Sequence, residues 1–472
     1  MTVDGARART LYAGYAYGAL VAAILGWFLL RIPIQLTDSY WNIVALDQPF
    51  LDLMRAQLAD RAYLRPGLWA ALKVVYDLSG GDYFYWFRLT QVAQAALTIL
   101  LFVRLLQPRT AAAIAALPLA LAVLIGSHNF AWTIREAFPI NTFLTIVLCC
   151  VATANLSFAQ RRWWTDAAAV ALFVVAALTI ESGLLVGVIV IGGYLLGLRG
   201  VSRGAVALVA GLVVAYVVTR FVVLGVGLPG LSAREAGFGF SRRSSAELVA
   251  MFGSGRLGFY AYNVVSSLLN VLVAEPRDGV WRLVRASVSG NLEPPLIIGT
   301  AASALGTALI CRFAWRRRHA WMARRFERGD QLVLLFVLVL CANAVISYAY
   351  TKDVIMSPAG VFFAGAVFVS VCDLVSRAPQ GALRAAALVI VVTVLSSLWA
   401  VRAIGVHAAL LASANDVRQQ WAYVDDWLEE RHNTELSPRM RALKDQLQDD
   451  AVVRHPARPP LRAEWTRLFE VE

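Results

Sequence analysis

The feature that most constrains the fold is a recurrent pattern of long apolar segments with almost no charge. Leu11–Leu30, Leu332–Ala349 and Ala385–Val401 are examples. Each has about the length, roughly 17–25 residues, that a helix needs to cross the hydrocarbon core of a membrane. Strands of a membrane barrel would alternate in polarity instead, whereas a helix satisfies its own backbone in lipid. The sequence therefore predicts an all-α polytopic membrane protein.

Composition and charge agree with this fold class. Of the 472 residues, 59% are hydrophobic and 16% are charged, against about 25% charged in typical soluble domains. The net charge of +12 is expected to hold short loops on the cytoplasmic face, so no nucleic-acid partner is implied. Basic residues are nearly all arginine, with lysine at Lys73, Lys352 and Lys444. This bias is typical of GC-rich bacterial genomes and indicates a bacterial inner membrane.

Eleven transmembrane spans are predicted, with arginine-rich short loops at every second turn. The positive-inside rule then places the N-terminus in the cytoplasm. Two of the spans share residues 166–199 around Glu181, and each of these two is short for a bilayer. The predicted spans are residues 11–30, 86–106, 111–127, 139–158, 166–180, 183–199, 204–226, 295–314, 331–350, 358–376 and 384–403.

This topology leaves two long outer loops and an outer tail. Residues 1–403 form a transmembrane domain that includes outer loops 31–85 and 227–294, and residues 404–472 form a polar, partly helical tail expected in the periplasm. The first loop is predicted to contain amphipathic interfacial helices. One follows Asp47-Gln-Pro, and another runs from Arg65-Pro66 to about Leu78, since proline suits the first turn of a helix. Asp82 is expected to cap the next span.

Ionisable side chains gather at the outer ends of the predicted spans. Such groups are costly near lipid and usually face a cavity, so a set on one face predicts a functional site. Glu181 has no basic residue within about a membrane helix length on either side, so it must reach a cation from another span or water. The set comprises Asp38, Arg65, His128, Arg135, Glu136, Glu181, Lys352 and Asp353.

Short motifs beside these residues resemble the GT-C superfamily of membrane glycosyltransferases, such as protein O-mannosyltransferases and lipid A aminoarabinose transferases. The resemblance covers the topology of roughly residues 1–400. It implies an inverting transfer from a polyprenyl-phosphate sugar to a hydroxyl acceptor on the periplasmic face, with an acidic residue in the first outer loop. The motifs are Leu36-Thr-Asp-Ser-Tyr-Trp, Tyr63-Leu-Arg-Pro-Gly-Leu-Trp, Thr179-Ile-Glu-Ser-Gly and Tyr350-Thr-Lys-Asp with Ser-Pro-Ala-Gly.

The resemblance assigns the general base to Asp38, which would take the proton of the acceptor hydroxyl. A helix cap is the alternative role for this carboxylate. Ser39 stands where the family often has a second acid, so neither a cofactor nor a resident metal is expected. Asp47 could contribute only by folding back towards Asp38.

Three basic residues suit the leaving lipid phosphate, because arginine binds phosphate bidentately. Arg65 is the first choice as a phosphate-binding residue, followed by Lys352 and Arg135. For each of the three, a lipid headgroup or a neighbouring acidic side chain is an equally good partner. Glu181 is expected to orient a phosphate-binding arginine or to bind sugar hydroxyls. His128 is expected to cap a span or to contact sugar or phosphate.

Two other functions fit parts of the sequence. A lipid-linked sugar flippase or other transporter would be polytopic as well, but such proteins tend to show repeated halves and broken helices. An O-antigen polymerase or ligase would use an arginine-rich outer loop, and residues 227–294 contain seven arginines. The predicted helices of the first outer loop and the acid at Asp38 favour the glycosyltransferase.

Overall fold

The computed structural model describes residues 3–34, 37–59, 64–127, 130, 133, 142–225, 245–254, 256–273, 279–348, 353–377, 382–425 and 437–454. Within these ranges the secondary structure is helical and contains no strand. Helices α1 to α9 are Val3–Leu29, Thr37–Ala45, Phe50–Ala59, Pro66–Ser79, Tyr83–Leu106, Ala111–Gly126, Thr142–Phe158, Trp163–Ala177 and Leu184–Leu195. Helices α10 to α18 are Arg203–Val218, Ser245–Phe252, Arg256–Leu272, Gly279–Ser289, Pro294–Met322, Arg328–Ile346, Ser357–Ser376, Ala382–Ala422 and Pro438–Arg454.

The protein is a multi-pass membrane protein, as its composition predicts. In the described part of the chain, 7 helices are long and apolar enough to cross a membrane: α1, α5, α10 and α14 to α17. The other four predicted spans fall on the shorter apolar helices α6 to α9. Each predicted span thus corresponds to a helix, and the number of eleven crossings stays a prediction.

Two helices extend well past their predicted spans. Helix α14 continues to Met322, so several arginines assigned to a cytoplasmic loop lie in its last turns. Helix α17 contains 41 residues and passes the predicted end at residue 403 without a break. At 1.5 Å per residue, α17 is roughly twice as long as the hydrocarbon core is thick. Its second half therefore belongs to the tail.

Helix α16 lies at the centre of the bundle. Every side chain from Val354 to Phe368 is buried, and the helix packs against α5, α6, α7, α14 and α15. Gly306 of α14 permits close contact, because a Cβ there would lie 3.0 Å from the Phe363 ring. The small residues of α16, such as Ala359 and Gly365, allow neighbouring helices to approach it.

One end of the bundle, called here the arginine end, is held by ion pairs. Arg317 donates to both carboxylate oxygens of Asp330, at 2.9 and 2.6 Å, which joins α14 to α15. Arg316 pairs with Asp373 of α16. Arg328 donates to the Leu105 carbonyl of α5 at 2.6 Å. Arginines predicted to hold the chain on one side of the membrane therefore also join neighbouring helices.

The opposite end, called here the loop-one end, contains α2 to α4. The predicted helix after Arg65 is confirmed as Pro66–Ser79, with proline in its first turn. It ends at Gly80 and Gly81, whose φ angles of 57° and 107° favour glycine. The predicted cap of α5 is also confirmed, since the Asp82 carboxylate accepts from the Tyr85 N–H at 3.3 Å.

The tail packs on loop one and shares a small hydrophobic core with it. Trp421 and Val424, which the sequence places on one face of a tail helix, are fully buried there beside Tyr40 of α2. The Trp421 indole donates to the Ile34 carbonyl at 2.5 Å, and the Tyr40 hydroxyl donates to the Met440 carbonyl at 2.9 Å. The tail and loop one therefore lie at the same end of the bundle.

Candidate anion site

The Glu181 carboxylate lies between two arginines at the loop-one end. Arg65 donates to Glu181 Oε2 at 3.0 Å, and Arg220 donates to Glu181 Oε1 at 2.5 Å. The three side chains are partly shielded from solvent, with 25% of Arg65, 22% of Glu181 and 14% of Arg220 exposed. Either a cation from elsewhere in the chain or water was expected beside Glu181, and the structure provides two cations.

A tight turn between α8 and α9 positions Glu181. Helix α8 ends at Ala177, and a 3-10 turn formed by Glu181–Gly183 leads into α9. The turn requires glycine at position 183, since a Cβ there would lie 2.0 Å from the Ala176 carbonyl oxygen. Because α8 and α9 are short, the turn between them places the Glu181 carboxylate at the end of the bundle. Irregular backbone is tolerated there.

The residues around Arg65 are attached to the same turn. The Gly67 N–H donates to the Leu178 carbonyl at 2.9 Å. A Cβ at Gly67 would lie 3.0 Å from the Leu178 side chain, so glycine allows the two backbones to approach. The Arg-Pro-Gly and Ile-Glu-Ser-Gly sequences, more than one hundred residues apart, therefore form one unit.

Arg220 comes from the end of α10, where the helix widens into a π-helical turn at Thr219–Val223. The Leu224 N–H donates to the Thr219 carbonyl at 2.9 Å, and such π-turns often occur at functional sites. Arg220 also donates to the Tyr216 hydroxyl at 3.3 Å. Sequence reasoning missed both residues because they lie inside a predicted span. The available signal was a charge in the last turns of an apolar helix.

The cluster formed by Arg65, Glu181 and Arg220 has an excess of positive charge. Two guanidinium groups and one carboxylate give it a formal charge of +1 among the described residues. The Arg220 Nε is buried and has no hydrogen-bond partner in the described part of the chain. Other described arginines, such as Arg88 and Arg316, share this feature at their Nε atoms, so it is the excess positive charge that suits the cluster to bind an anion, and phosphate fits the planar donor set of arginine.

The structure gives Asp47 a role in joining the tail to loop one. Its carboxylate accepts from the Tyr76 hydroxyl at 3.1 Å and also binds Arg439 of α18. Burial, the Tyr83 hydroxyl and Asp47 raise the pKa of Tyr76 above its usual value, so Tyr76 remains a neutral donor. These contacts join α4 to α18, and the predicted role of Asp47 in substrate binding stays a prediction.

The side chains of the remaining predicted site residues lie outside the described part of the structure. Asp38 lies in the first turn of α2, and its side chain is outside the described residues, as is that of Asp353. His128, Arg135 and Lys352 lie outside the described ranges altogether. Their assigned roles, like those of Arg65 and Glu181, stay predictions.

Two further arginines that the sequence analysis did not select are buried in the bundle. Arg88 of α5 donates to the Pro33 carbonyl at 2.5 Å and to Gln91 at 2.6 Å. Arg402 of α17 donates to the Gly299 carbonyl at 3.1 Å. Because each binds a backbone carbonyl of another segment, the contacts join α5 to the end of α1, and α17 to α14.

Comparisons with protein families, with curated proteins and with solved structures found no match for this chain.

Proposed function

We propose that the protein is an inverting glycosyltransferase that moves a sugar from a polyprenyl-phosphate donor to a hydroxyl acceptor. The observation that supports this function is the cluster of Arg65, Glu181 and Arg220, a cationic and partly shielded site at the loop-one end. A lipid phosphate places its negative charge at the membrane surface, within reach of helix ends. Arginine pairs bind such groups through charge-assisted hydrogen bonds.

In the proposed reaction, Asp38 accepts the proton of the acceptor hydroxyl while the oxygen attacks the anomeric carbon. The bond between that carbon and the phosphate oxygen breaks, and the phosphate leaves with the bonding electrons. Arg65 and Arg220 stabilise the charge that develops on the leaving group. One carboxylate suffices, because the nucleophile enters on the face opposite the phosphate.

Glu181 is proposed to hold the two guanidinium groups in place before the donor binds. A guanidinium has five N–H donors in a fixed fork, and Arg220 uses Nη1 for both Glu181 and Tyr216. A pre-organised cation pair binds and stabilises an anion without reorganisation cost during the reaction.

The proposed location is the bacterial inner membrane, with the N-terminus in the cytoplasm and the site in the periplasm. The arginine end would then face the cytoplasm, as the positive-inside rule requires. The loop-one end, with the cluster, α2 and the tail, would face the periplasm. Bilayer lipid surrounds the bundle in this arrangement.

Transfer from a radiolabelled polyprenyl-phosphate sugar by the purified protein in lipid nanodiscs tests the proposal. Asp38→Asn is expected to abolish transfer while donor binding and protein yield stay normal. Arg220→Ala is expected to weaken donor binding by roughly 10- to 150-fold, the equivalent of 1.5–3 kcal/mol for hydrogen bonds to a charged group.

Arg316→Ala is the matched control, because it removes an ion-paired arginine at the arginine end. Its donor binding should equal that of the wild-type protein. Wild-type turnover in Asp38→Asn would exclude Asp38 as the base. Equal donor binding by Arg220→Ala and wild type would exclude the cluster as the phosphate site.

A further inference from the structure

Helix α12, formed by Arg256–Leu272, buries its asparagine and serine side chains, together with Phe259 and Val271, and exposes apolar side chains on its outer face. The four polar residues Asn263, Ser266, Ser267 and Asn270 recur at helical spacing and are at most 4% exposed. Leu257 and Val265 are 82% and 52% exposed. A helix facing water has the opposite arrangement, whereas polar side chains at helix contacts and apolar ones outside are typical of membranes.

The tail helix α18 provides the comparison within the same chain. Its Leu447 and Ala451 are buried against loop one, and its exposed positions are mostly charged or amide side chains, such as Gln446 and Asp449. That pattern is the one expected for a helix in water. The reversed pattern of α12 therefore reflects a different surrounding medium.

Contacts in the middle and at the last residue of α12 show how deep the helix reaches. Asn263 donates to the Tyr348 carbonyl at 2.9 Å, just after α15 ends at the loop-one end. At the last residue of α12, the Thr307 hydroxyl of α14 donates to the Leu272 carbonyl. Thr307 lies roughly 20 Å along α14 from its first residue at 1.5 Å per residue. Its neighbour Gly306 packs against Phe363, which lies roughly 9 Å along α16 from Ser357 at 1.5 Å per residue.

We infer that α12 is a re-entrant helix, which enters the bilayer from the loop-one end, stops near mid-depth and exposes its outer face to the hydrocarbon chains of lipid. A re-entrant segment is tolerated in a membrane where its polar groups are buried in protein, as those of α12 are. Helix α13 then returns the chain towards Pro294. Arg282 of α13 pairs with Glu293 at 2.8 Å, beside the start of α14.

This inference changes the topology of residues 227–294 and is independent of the proposed enzymatic function. The segment was predicted to be an outer loop, whereas α12 would be embedded in lipid. The number of full crossings is unaffected, because α12 and α13 enter and leave on the same side. The inner face of α12 would shield the end of α15, where Tyr260 contacts Tyr348 with ring centroids 4.9 Å apart.

Spin labels on the outer face of α12 test the inference in the full-length protein in liposomes. The five native cysteines are replaced by alanine, and single cysteines are introduced at Leu257, Ala261, Val265 and Leu269. Oxygen concentrates in the bilayer centre and a nickel chelate in water, so their relative collision rates report depth. Depth is expected to increase along the series by roughly 18 Å from Leu257 to Leu269, at 1.5 Å per residue.

Two further labels serve as references for the extremes. Val214→Cys on α10 lies on an exposed face of an apolar helix and should report lipid, and Tyr423→Cys at the end of α17 should report water. A constant depth along α12 would instead indicate a helix parallel to the membrane plane and would overturn the inference. Nickel accessibility equal to that of Tyr423→Cys at all four positions would also overturn it.

Discussion

Replacing Glu181 by glutamine removes the carboxylate to which Arg65 and Arg220 both donate, while the side chain keeps its size. Each guanidinium lies 2.5–3.0 Å from a carboxylate oxygen. With charge centres about 4 Å apart and an effective dielectric constant near 20, each pair is worth about 4 kcal/mol before desolvation. The substitution loses both pairs and raises the formal charge of the cluster from +1 to +2.

Desolvation of the three groups offsets much of this Coulomb energy. Removing one partner of a fully buried ion pair costs about 3–5 kcal/mol, and here 22% of the Glu181 side chain remains exposed. We therefore expect Glu181→Gln to lower the free energy of unfolding by about 2–3 kcal/mol. Unfolding in mixed micelles with increasing SDS, followed by tryptophan fluorescence, measures this difference.

Glu293→Gln is the matched control, because it removes a carboxylate from the more exposed pair with Arg282, in which 48% of Glu293 is exposed. Pairs of that kind contribute about 0–1 kcal/mol. A short-chain isoprenyl phosphate should stabilise Glu181→Gln at least as much as wild type, since the phosphate replaces the lost negative charge. A Glu181→Gln variant no less stable than Glu293→Gln would refute the reasoning.

Two further predictions concern the packing around the cluster and the tail. Gly183→Ala should strongly reduce the yield of folded protein, because its Cβ would clash with the Ala176 carbonyl. Gly211→Ala is the control and should be tolerated, since a Cβ there meets open space. The yield of monodisperse protein after size-exclusion chromatography measures both effects. Normal yield of Gly183→Ala would contradict the described turn. Trp421→Ala should destabilise the tail core by about 3–5 kcal/mol and should therefore speed limited proteolysis of the tail. Trp315→Ala is the control, because the Trp315 side chain is 70% exposed in the wild type, and it should leave the cleavage rate unchanged. Equal cleavage rates in the two tryptophan variants would show that the tail is not held by Trp421.

Local patterns predicted most of the helices correctly. Apolar runs located α1, α5 to α10 and α14 to α17, because lipid imposes a length and a polarity on each helix that crosses it. Pro66 marked the start of α4 and Asp82 the start of α5, since the preferences of both residues are local. The cost of an unpaired carboxylate in an apolar segment predicted that Glu181 would meet a cation or water, and it meets two arginines.

Long-range arrangements were not predictable in the same way. Arg220 was hidden inside an apolar span, and its pairing with Glu181 depends on how α10 packs beside the turn after α8. The core that Trp421 shares with Tyr40 joins segments almost four hundred residues apart, so no local pattern indicates it. The reversed polarity of α12 became visible only when burial identified which of its faces is outside.

The most direct test of the central proposal is an experimental density map of the protein with a bound polyprenyl phosphate. The proposal predicts phosphate density within hydrogen-bond distance, about 3 Å, of the Arg65 and Arg220 guanidinium groups, on the same side of the membrane as α2. Phosphate density among Arg316, Arg317 and Arg328 at the arginine end would contradict it.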